Sequence, residues 1–506
     1  MFQYIYKKLK TCLAQASGCV NSYTQVCSSR CRWLYLHHQA WCLLFFASSI
    51  VALVYGHIVW NGYFFSDDFT WAWHSQQIHG SWSSIVSARM STFYSPVVNA
   101  LYAFLYPKFG YYEPIIFFGV SICLHIMVSF FSGILVWKLG RKMLAASVTT
   151  VVVAFGGVAY EPVLWIAANM HTLVTLFILL CVICFYQYVD TKKNVYIFIS
   201  LLFFVLALGT KESAIVTPAL LAMTWVFHGE RDIKRMPVVL FAISVIMVSI
   251  IYMIHQYMWQ KDSVWIQQQI WNLDVFALLR APTIVLHHFI PLTYFKKIVI
   301  HIWPVVSLYL WVFALCVCLL TTYMFRTSKL YLYGLGWMLI TMSPFIFFKT
   351  DVWWDVLPSR YSYLLQIGAA CICAGVIQYW VDQHTKFTFS KVKIFTMTIV
   401  IFVCLYASNQ HLKRTYEGYY SVGRSLHHAM EQILYIQPDW VFVRAGRPFE
   451  KNIAHIVGAA HTIAHVPEDR IVFLKDSNKT DMYTGSIVVL YWDMDKRQYV
   501  VQPHMQ

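Results

Sequence analysis

Apolar runs of about 20 residues recur along most of this chain, and a run of that length is what an α-helix needs to cross a ~30 Å hydrocarbon core. Inside a bilayer each backbone N–H and C=O must find its partner within the protein, so such runs fold as helices. Read in order, they lie near 40–60, 114–137, 144–160, 168–189, 195–209, 213–228, 237–258, 303–325, 330–348, 361–381 and 394–408, eleven in all. Only 12% of the 506 residues are charged, against roughly 25% in soluble domains, which excludes an ordinary soluble enzyme. The expected fold class is an all-α polytopic membrane protein of about 11 transmembrane helices, multi-pass in a cell membrane.

Charge sets the orientation. With the N-terminus cytoplasmic, the inside segments hold about 18 Lys and Arg, and the longer outside segments about nine. Positive residues collect on the cytoplasmic side of membrane proteins, so this arrangement is the expected one, with 1–39 as a cytoplasmic tail. An odd number of spans then puts 409–506 outside. The net charge of +15 is thereby spent on loops, and the 11 basic residues of 409–506 are dispersed among acids, which disfavours a nucleic-acid partner. Cysteine placement agrees: none of the 13 falls in an outside loop or in 409–506, where an oxidising compartment would pair exposed thiols. Cys12, Cys19, Cys27 and Cys31 match no zinc-ligand spacing, and Cys181 with Cys184 lies within an apolar span rather than in a redox context.

The segment 409–506 has no run long enough to cross a bilayer and alternates charged with apolar residues. It reads as a small C-terminal α/β domain, with helices near 420–435 and 451–464 and strands at Trp440–Arg444, Ile471–Lys475, Ile487–Tyr491 and Gln498–Val501. At about 100 residues it is large enough to form its own core.

Chemistry is expected where charge sits against the cost of the membrane. Four motifs stand out. Ser66-Asp67-Asp68-Phe69 follows the first span, in an outside loop (61–113) whose other charges are Arg89, Lys108 and Glu113. Two adjacent carboxylates repel, so one pKa is expected to rise unless a cation or metal compensates; the pair suits a general base or a metal ligand. Its plain structural reading is a helix N-cap at Ser66 or Asp67. Glu161-Pro162 opens onto Trp165, Asn169 and His171. Trp165 and Asn169, four apart, would share one helix face, although the segment reads equally as a Pro-broken hairpin with an interfacial Trp. Thr210-Lys211-Glu212-Ser213 is a tight outside turn. Pro358-Ser359-Arg360-Tyr361-Ser362-Tyr363 stands at the entrance to the tenth span, after Asp351 and Asp355; its Arg either snorkels or binds a phosphate bidentately. By the topology, Asp67, Asp68, Glu161, Glu212 and Arg360 all emerge on one side.

In that order and context the residues resemble the GT-C superfamily of membrane glycosyltransferases, in particular its protein O-mannosyltransferases and aminoarabinose lipid A transferases. The resemblance covers roughly 40–380: the acidic pair Asp67-Asp68, Pro96 and the mid-helix His125, Glu161-Pro162-Val163-Leu164-Trp165, Leu208-Gly209-Thr210-Lys211-Glu212, and Ser359-Arg360-Tyr361-Ser362-Tyr363. It implies a sugar donor on a polyprenyl or dolichyl phosphate, a glycan, lipid or protein acceptor, and transfer on the outer or lumenal face. Carried onto this chain, Asp67 or Asp68 would be the general base of an inverting displacement, and Arg360 and Lys211 would stabilise the leaving phosphate. Glu161 and Glu212 would orient the sugar or those cations, and His171 and Asn169 would line the acceptor side, with Trp165 and Tyr361 in the same substrate site. No cofactor is certain, and a divalent metal on the acidic pair is an open alternative.

Two features depart from the family pattern. Relatives often carry Arg before the Pro of the first loop, where this chain has Phe93-Tyr94-Ser95-Pro96, and the C-terminal domain is not universal. The outside loop 259–302, with Trp259, Trp265, Trp271, His287-His288 and Lys296-Lys297, reads either as an acceptor groove or as an interfacial helix. A transporter or flippase for a lipid-linked or anionic substrate is the alternative from another class. It calls for an internal repeat and polar residues at span centres, whereas here the charges cluster at one face. A polymerase or ligase acting on lipid-linked glycans is chemically close, but the acidic pair fits a transferase better.

Overall fold

The computed structural model describes residues 29–78, 82–88, 94–109, 113–228, 235–261, 303–344, 359–383, 416–444, 453–474, 486–493 and 498–504, with 413 and 496 as single positions. The tail to residue 28, most of the loop 259–302 and the eleventh apolar run lie outside the described residues. Along the rest the apolar runs fold as helices. They are α1 (Ser29–Tyr55), α2 (Asp67–Gln77) and α3 (Pro96–Phe109) of the first loop, α4 (Pro114–Gly140), α5 (Met143–Phe155), α6 (Asn169–Thr191), α7 (Asn194–Leu208), α8 (Thr217–His228), α9 (Arg235–Gln260), α10 (Trp303–Phe325), α11 (Lys329–Met342) and α12 (Leu365–Gln383). Four helical stretches among the described residues are long and apolar enough to cross a membrane: Pro114–Gly140, Ile166–Thr191, Val238–Gln260 and Leu365–Gln383. Shorter apolar helical stretches lie at Trp41–Tyr55, Met143–Phe155, Asn194–Leu208 and Leu315–Phe325.

Burial ranks these helices. In the apolar window of Ile166–Thr191, 78% of residues are buried, so α6 is the axis of the bundle, whereas Val238–Gln260 buries 22% and turns residues such as Ile243, Ile250 and Ile254 outward. Helices α4, α7 and α8 surround α6, and α5, α11 and α12 pack in turn around α4 and one another. Gly334 of α11 faces Gly368 of α12 so closely that a Cβ on Gly334 would lie 2.5 Å from the Gly368 carbonyl oxygen. Small residues at a helix crossing let two backbones meet where no solvent drives association. Several buried hydroxyls are satisfied within their own helices: Ser121, Ser129, Ser132, Thr149 and Thr175 each donate to the carbonyl four residues earlier. At their far ends α4 and α6 stop on Arg141 (φ 52°) and Lys192 (φ 59°) in the left-handed region, and the ends are joined by an Arg141–Asp190 ion pair at 3.2 Å and by Lys138 with Gln187.

At the site end the helices stop early. Helix α5 ends at Phe155, where Gln366 of α12 donates its amide to the carbonyls of Val152 and Val153 at 3.0 and 2.9 Å. A side chain thus satisfies carbonyls that a helix end leaves open. The chain continues as three short helical turns, Gly157–Ala159, Tyr160–Leu164 and Ile166–Ala168, before α6 begins.

The C-terminal segment holds helix α13 (416–436), β1 (Trp440–Arg444), α14 (Ile453–Ala464), β2 (Ile471–Leu474), β3 (Ile487–Asp493) and β4 (Gln498–His504). The sheet order is β2-β1-β3-β4, parallel except for the β3–β4 hairpin. Period-two alternation sorts its faces: Val441, Val443, Val488 and Leu490 share a core with α13 and α14, and Phe442 and Ile487 lie in a second cluster with Trp440, Val472 and Val489. The two helices are seated on the first-loop segment. A Cβ on Gly423 of α13 would lie 1.8 Å from the Phe64 carbonyl oxygen, so only glycine fits that approach.

Gly423→Val should therefore unseat α13 at a cost of about 1–3 kcal/mol or more, the range for overpacking. It should lower the unfolding midpoint in detergent and speed tryptic cleavage within 416–444. Gly418→Ala, whose added Cβ meets nothing within 4 Å, should leave both unchanged.

Candidate functional site

Hydrogen bonds hold the backbone of the Glu161–Ala167 segment from three directions. Tyr420 of α13 donates to the Leu164 carbonyl at 2.8 Å, Tyr102 of α3 donates to the Ile166 carbonyl at 2.5 Å, and the Ala167 N–H donates to Asp68 Oδ1 at 2.7 Å. Asp68 is fully buried, and its other oxygen, Oδ2, accepts the Phe65 N–H at 3.1 Å. Burial pushes the Asp68 carboxyl well above the usual carboxylate range, the two N–H donors pull it down, and the Asp67 charge raises it further. The expected rise is thus present, but burial rather than the neighbouring carboxylate is its main cause.

Adjacent in sequence, the two carboxylates differ in setting. Ser66 takes φ 53° and ψ −128° and makes no side-chain cap bond to α2, so the N-cap reading of Ser66 does not hold. A non-glycine residue there costs roughly 1–3 kcal/mol, which surrounding contacts must sustain. Beyond this turn Asp68 points into the protein, while Asp67 stays half-buried at the surface of α2.

Arg360 and Glu161 form the second part of the site. The Arg360 guanidinium pairs with Glu161 Oε1, and the Arg360 backbone N–H donates to Oε2 at 3.0 Å. Burial alone would lower the Arg360 pKa, but the Glu161 carboxylate holds it above its ordinary value, so the guanidinium stays charged. It lies 5.1 Å from the Trp165 ring centre and 4.8 Å from that of Tyr361. Lys211 is buried with its ammonium 3.1 Å from Glu212 Oε1 and 5.9 Å from the centre of the Tyr361 ring, which His171 meets edge-on at 5.1 Å. Tyr361 therefore links the two cation–carboxylate pairs. The Lys211 turn is tied to the first loop as well, since the Val97 N–H of α3 donates to the Gly209 carbonyl at 2.9 Å.

One sequence expectation about neighbours changes. Trp165 has extended backbone (φ −115°, ψ 114°) at the end of the short helix, so Trp165 and Asn169 do not share a helix face. Proline at 162 and the break after Leu164 separate them: the Trp165 ring stacks on Phe65, while Asn169 is buried in the bundle, accepting from Ser121 at 2.9 Å. The Trp165 indole N–H is buried without an acceptor among the described residues. His125, in the middle of α4, binds the Tyr363 hydroxyl at 2.6 Å and so anchors the stretch that carries Arg360. Asp351, Asp355, Pro358 and Arg89 lie outside the described residues.

Sequence reasoning missed Phe65, Tyr416, Tyr419 and Tyr420. Phe65 stacks on Trp165 on one side and on Tyr419 on the other, at 5.8 and 5.3 Å between centres. The signal was present, since 416, 419 and 420 fall at the spacing of one helix face, but nothing in the pattern says what that face covers. Among the described residues no three His, Cys, Asp or Glu side chains come together to hold a metal ion, and Asp68 has both oxygens engaged by backbone amides.

The fold is shared with solved structures of an oligosaccharyltransferase from Archaeoglobus fulgidus. Its apo crystal structure aligns with a TM-score of 0.51 at 10% identity, covering 86% of this chain and 64% of that one. The crystal structure of the same enzyme tethered through a disulfide to an acceptor peptide containing the NVT sequon aligns with a TM-score of 0.51 at 11% identity, covering 86% and 63%. This chain thus spans less than two thirds of that enzyme's length. No family model matches the sequence, and no curated protein matches it. The likeness is one of fold: the described residues are mostly helical, four of the helices are long and apolar enough to cross a membrane, and the C-terminal segment carries a small four-stranded sheet.

The Glu161–Arg360 pair yields a direct test. Glu161→Gln should lower unfolding stability by roughly 1.5–3 kcal/mol, the range for a hydrogen bond to a charged group, and Arg360→Gln by a similar amount. The double variant should cost less than the sum, and a double-mutant cycle read by thermal unfolding in detergent measures that coupling.

Proposed function

We propose that this protein is an integral-membrane glycosyltransferase that moves a sugar from a polyprenyl- or dolichyl-phosphate carrier to an acceptor on the outer or lumenal face. The observation that carries the reading is that Asp68 and Arg360 both bind the Glu161–Ala167 segment while Lys211 lies over Tyr361, beside Arg360, in a fold shared with an oligosaccharyltransferase from Archaeoglobus fulgidus. With it goes the topology of about eleven spans, the N-terminus cytoplasmic and 409–506 outside.

The chemistry assigned is an inverting displacement. Asp67, half-buried where Asp68 is sealed, takes the proton of the acceptor hydroxyl. The acceptor oxygen attacks the anomeric carbon from the face opposite the lipid phosphate, the carbon–oxygen bond to the phosphate breaks, and the electron pair leaves on the phosphate oxygen. Arg360 and Lys211 meet the charge that develops there, preorganised by Glu161 and Glu212. Arginine suits this task because its planar fork has N–H donors left over after one carboxylate is bound. The Trp165 and Tyr361 rings border the Arg360 guanidinium, and His171 meets Tyr361 edge-on. The acceptor peptide of the tethered archaeal structure makes a peptide the first acceptor to try.

The test uses purified protein in nanodiscs with radiolabelled polyprenyl-phosphate sugars. Wild type should release sugar from the lipid to acceptor or water. Asp67→Asn should lose about 10²–10⁴-fold while unfolding like wild type, the usual cost of removing a general base. Wild type that carries the lipid between leaflets without cleaving the sugar bond would contradict the reading and favour a flippase.

A further inference from the structure

The C-terminal unit touches the site at several points. The Tyr420 hydroxyl, buried, donates to the Leu164 carbonyl at 2.8 Å, inside the turn that runs from Glu161 to Trp165. The Tyr420 ring meets Phe65 edge-on at 5.8 Å and Phe118 at 5.6 Å. Gly423 brings α13 against the Phe64 carbonyl, two residues before Ser66. Arg424 donates to the Asn61 carbonyl, and the Tyr63 hydroxyl meets His427 Nδ1 at 2.6 Å. These contacts fall on the two backbone segments that carry Asp67 and Glu161, and they come from a helix that lies beyond the last apolar run of the sequence.

We propose that α13 is a working part of the site and that Tyr420 is its positioning residue, holding the Leu164 carbonyl so that Glu161 keeps Arg360 aligned on the leaving group. The inference rests on the transferase reading above. A donor hydrogen bond to a buried carbonyl fixes one turn of backbone, and the side chain three residues earlier on that turn, Glu161, binds Arg360 twice. Alignment of this kind matters most as charge builds on the departing oxygen, so its loss appears in kcat rather than in donor binding. The C-terminal unit is then no detachable appendage.

Tyr420→Phe removes one oxygen and keeps the ring packing. In the full chain, assayed in nanodiscs with radiolabelled polyprenyl-phosphate sugars, it should lower kcat about tenfold, the effect of one buried hydrogen bond of ~1.4 kcal/mol. KM for the lipid donor should change less than about twofold, and the unfolding midpoint should fall by no more than a few degrees below that of Tyr435→Phe, a change at an exposed ring of the same helix, so that kcat measured well below either midpoint still shows the loss. The inference is overturned by a wild-type kcat in Tyr420→Phe. It is equally overturned by a kcat that falls only in step with a lowered unfolding midpoint or a raised KM, which marks a purely structural contact. Absence of transfer by wild type from every donor would overturn the transferase reading itself, an outcome distinct from transfer that ignores Tyr420.

Discussion

One buried carboxylate holds the site together. Asp68 is sealed from solvent and accepts the N–H groups of Phe65 and Ala167, joining the first loop to the turn before α6. A buried charge is costly unless paired and hydrogen-bonded, and an unpartnered buried amide costs roughly 1–3 kcal/mol, so removing this clamp penalises both sides at once. The other contacts depend on its register: Phe65 can stack on Trp165 only while the two segments stay together, and Trp165 in turn lies beside the Arg360 guanidinium.

Around the clamp the protein arranges charge so that none of it is isolated. Arg360 pairs with Glu161 and Lys211 with Glu212, and the Tyr361 ring lies between the pairs. Pairing each buried cation with a carboxylate offsets the cost of taking it out of water. The helices beneath supply rigidity, since serines such as Ser121 and Ser129 bond to the carbonyls of their own helix and His125 reaches across to fix Tyr363.

Much of this was legible in the sequence. Apolar runs located the helices, because membrane burial leaves few alternatives, and alternation located the four strands. Glu161, Lys211, Glu212 and Arg360, expected from the topology to emerge on one side, lie near one another as two ion pairs joined through Tyr361. What the sequence hid were relations that depend on three-dimensional register. Asp67 and Asp68 are chemically alike, and only the left-handed turn at Ser66 separates the sealed carboxylate from the half-exposed one. The face-sharing of Trp165 and Asn169 failed because the helix breaks between them. The seating of α13 on the first loop turns on one glycine, Gly423, whose meaning appears only beside the Phe64 carbonyl.

Hydrogen exchange on the protein in nanodiscs tests the clamp most directly. In wild type, amides in the peptides spanning Phe65–Phe69 and Trp165–Ala168 should be protected. Asp68→Asn, which turns one acceptor into an N–H donor facing another N–H, should lose protection in both peptides together while α4 and α12 exchange as before. Protection of Trp165–Ala168 that stays at the wild-type level in Asp68→Asn would contradict the central role given to this carboxylate.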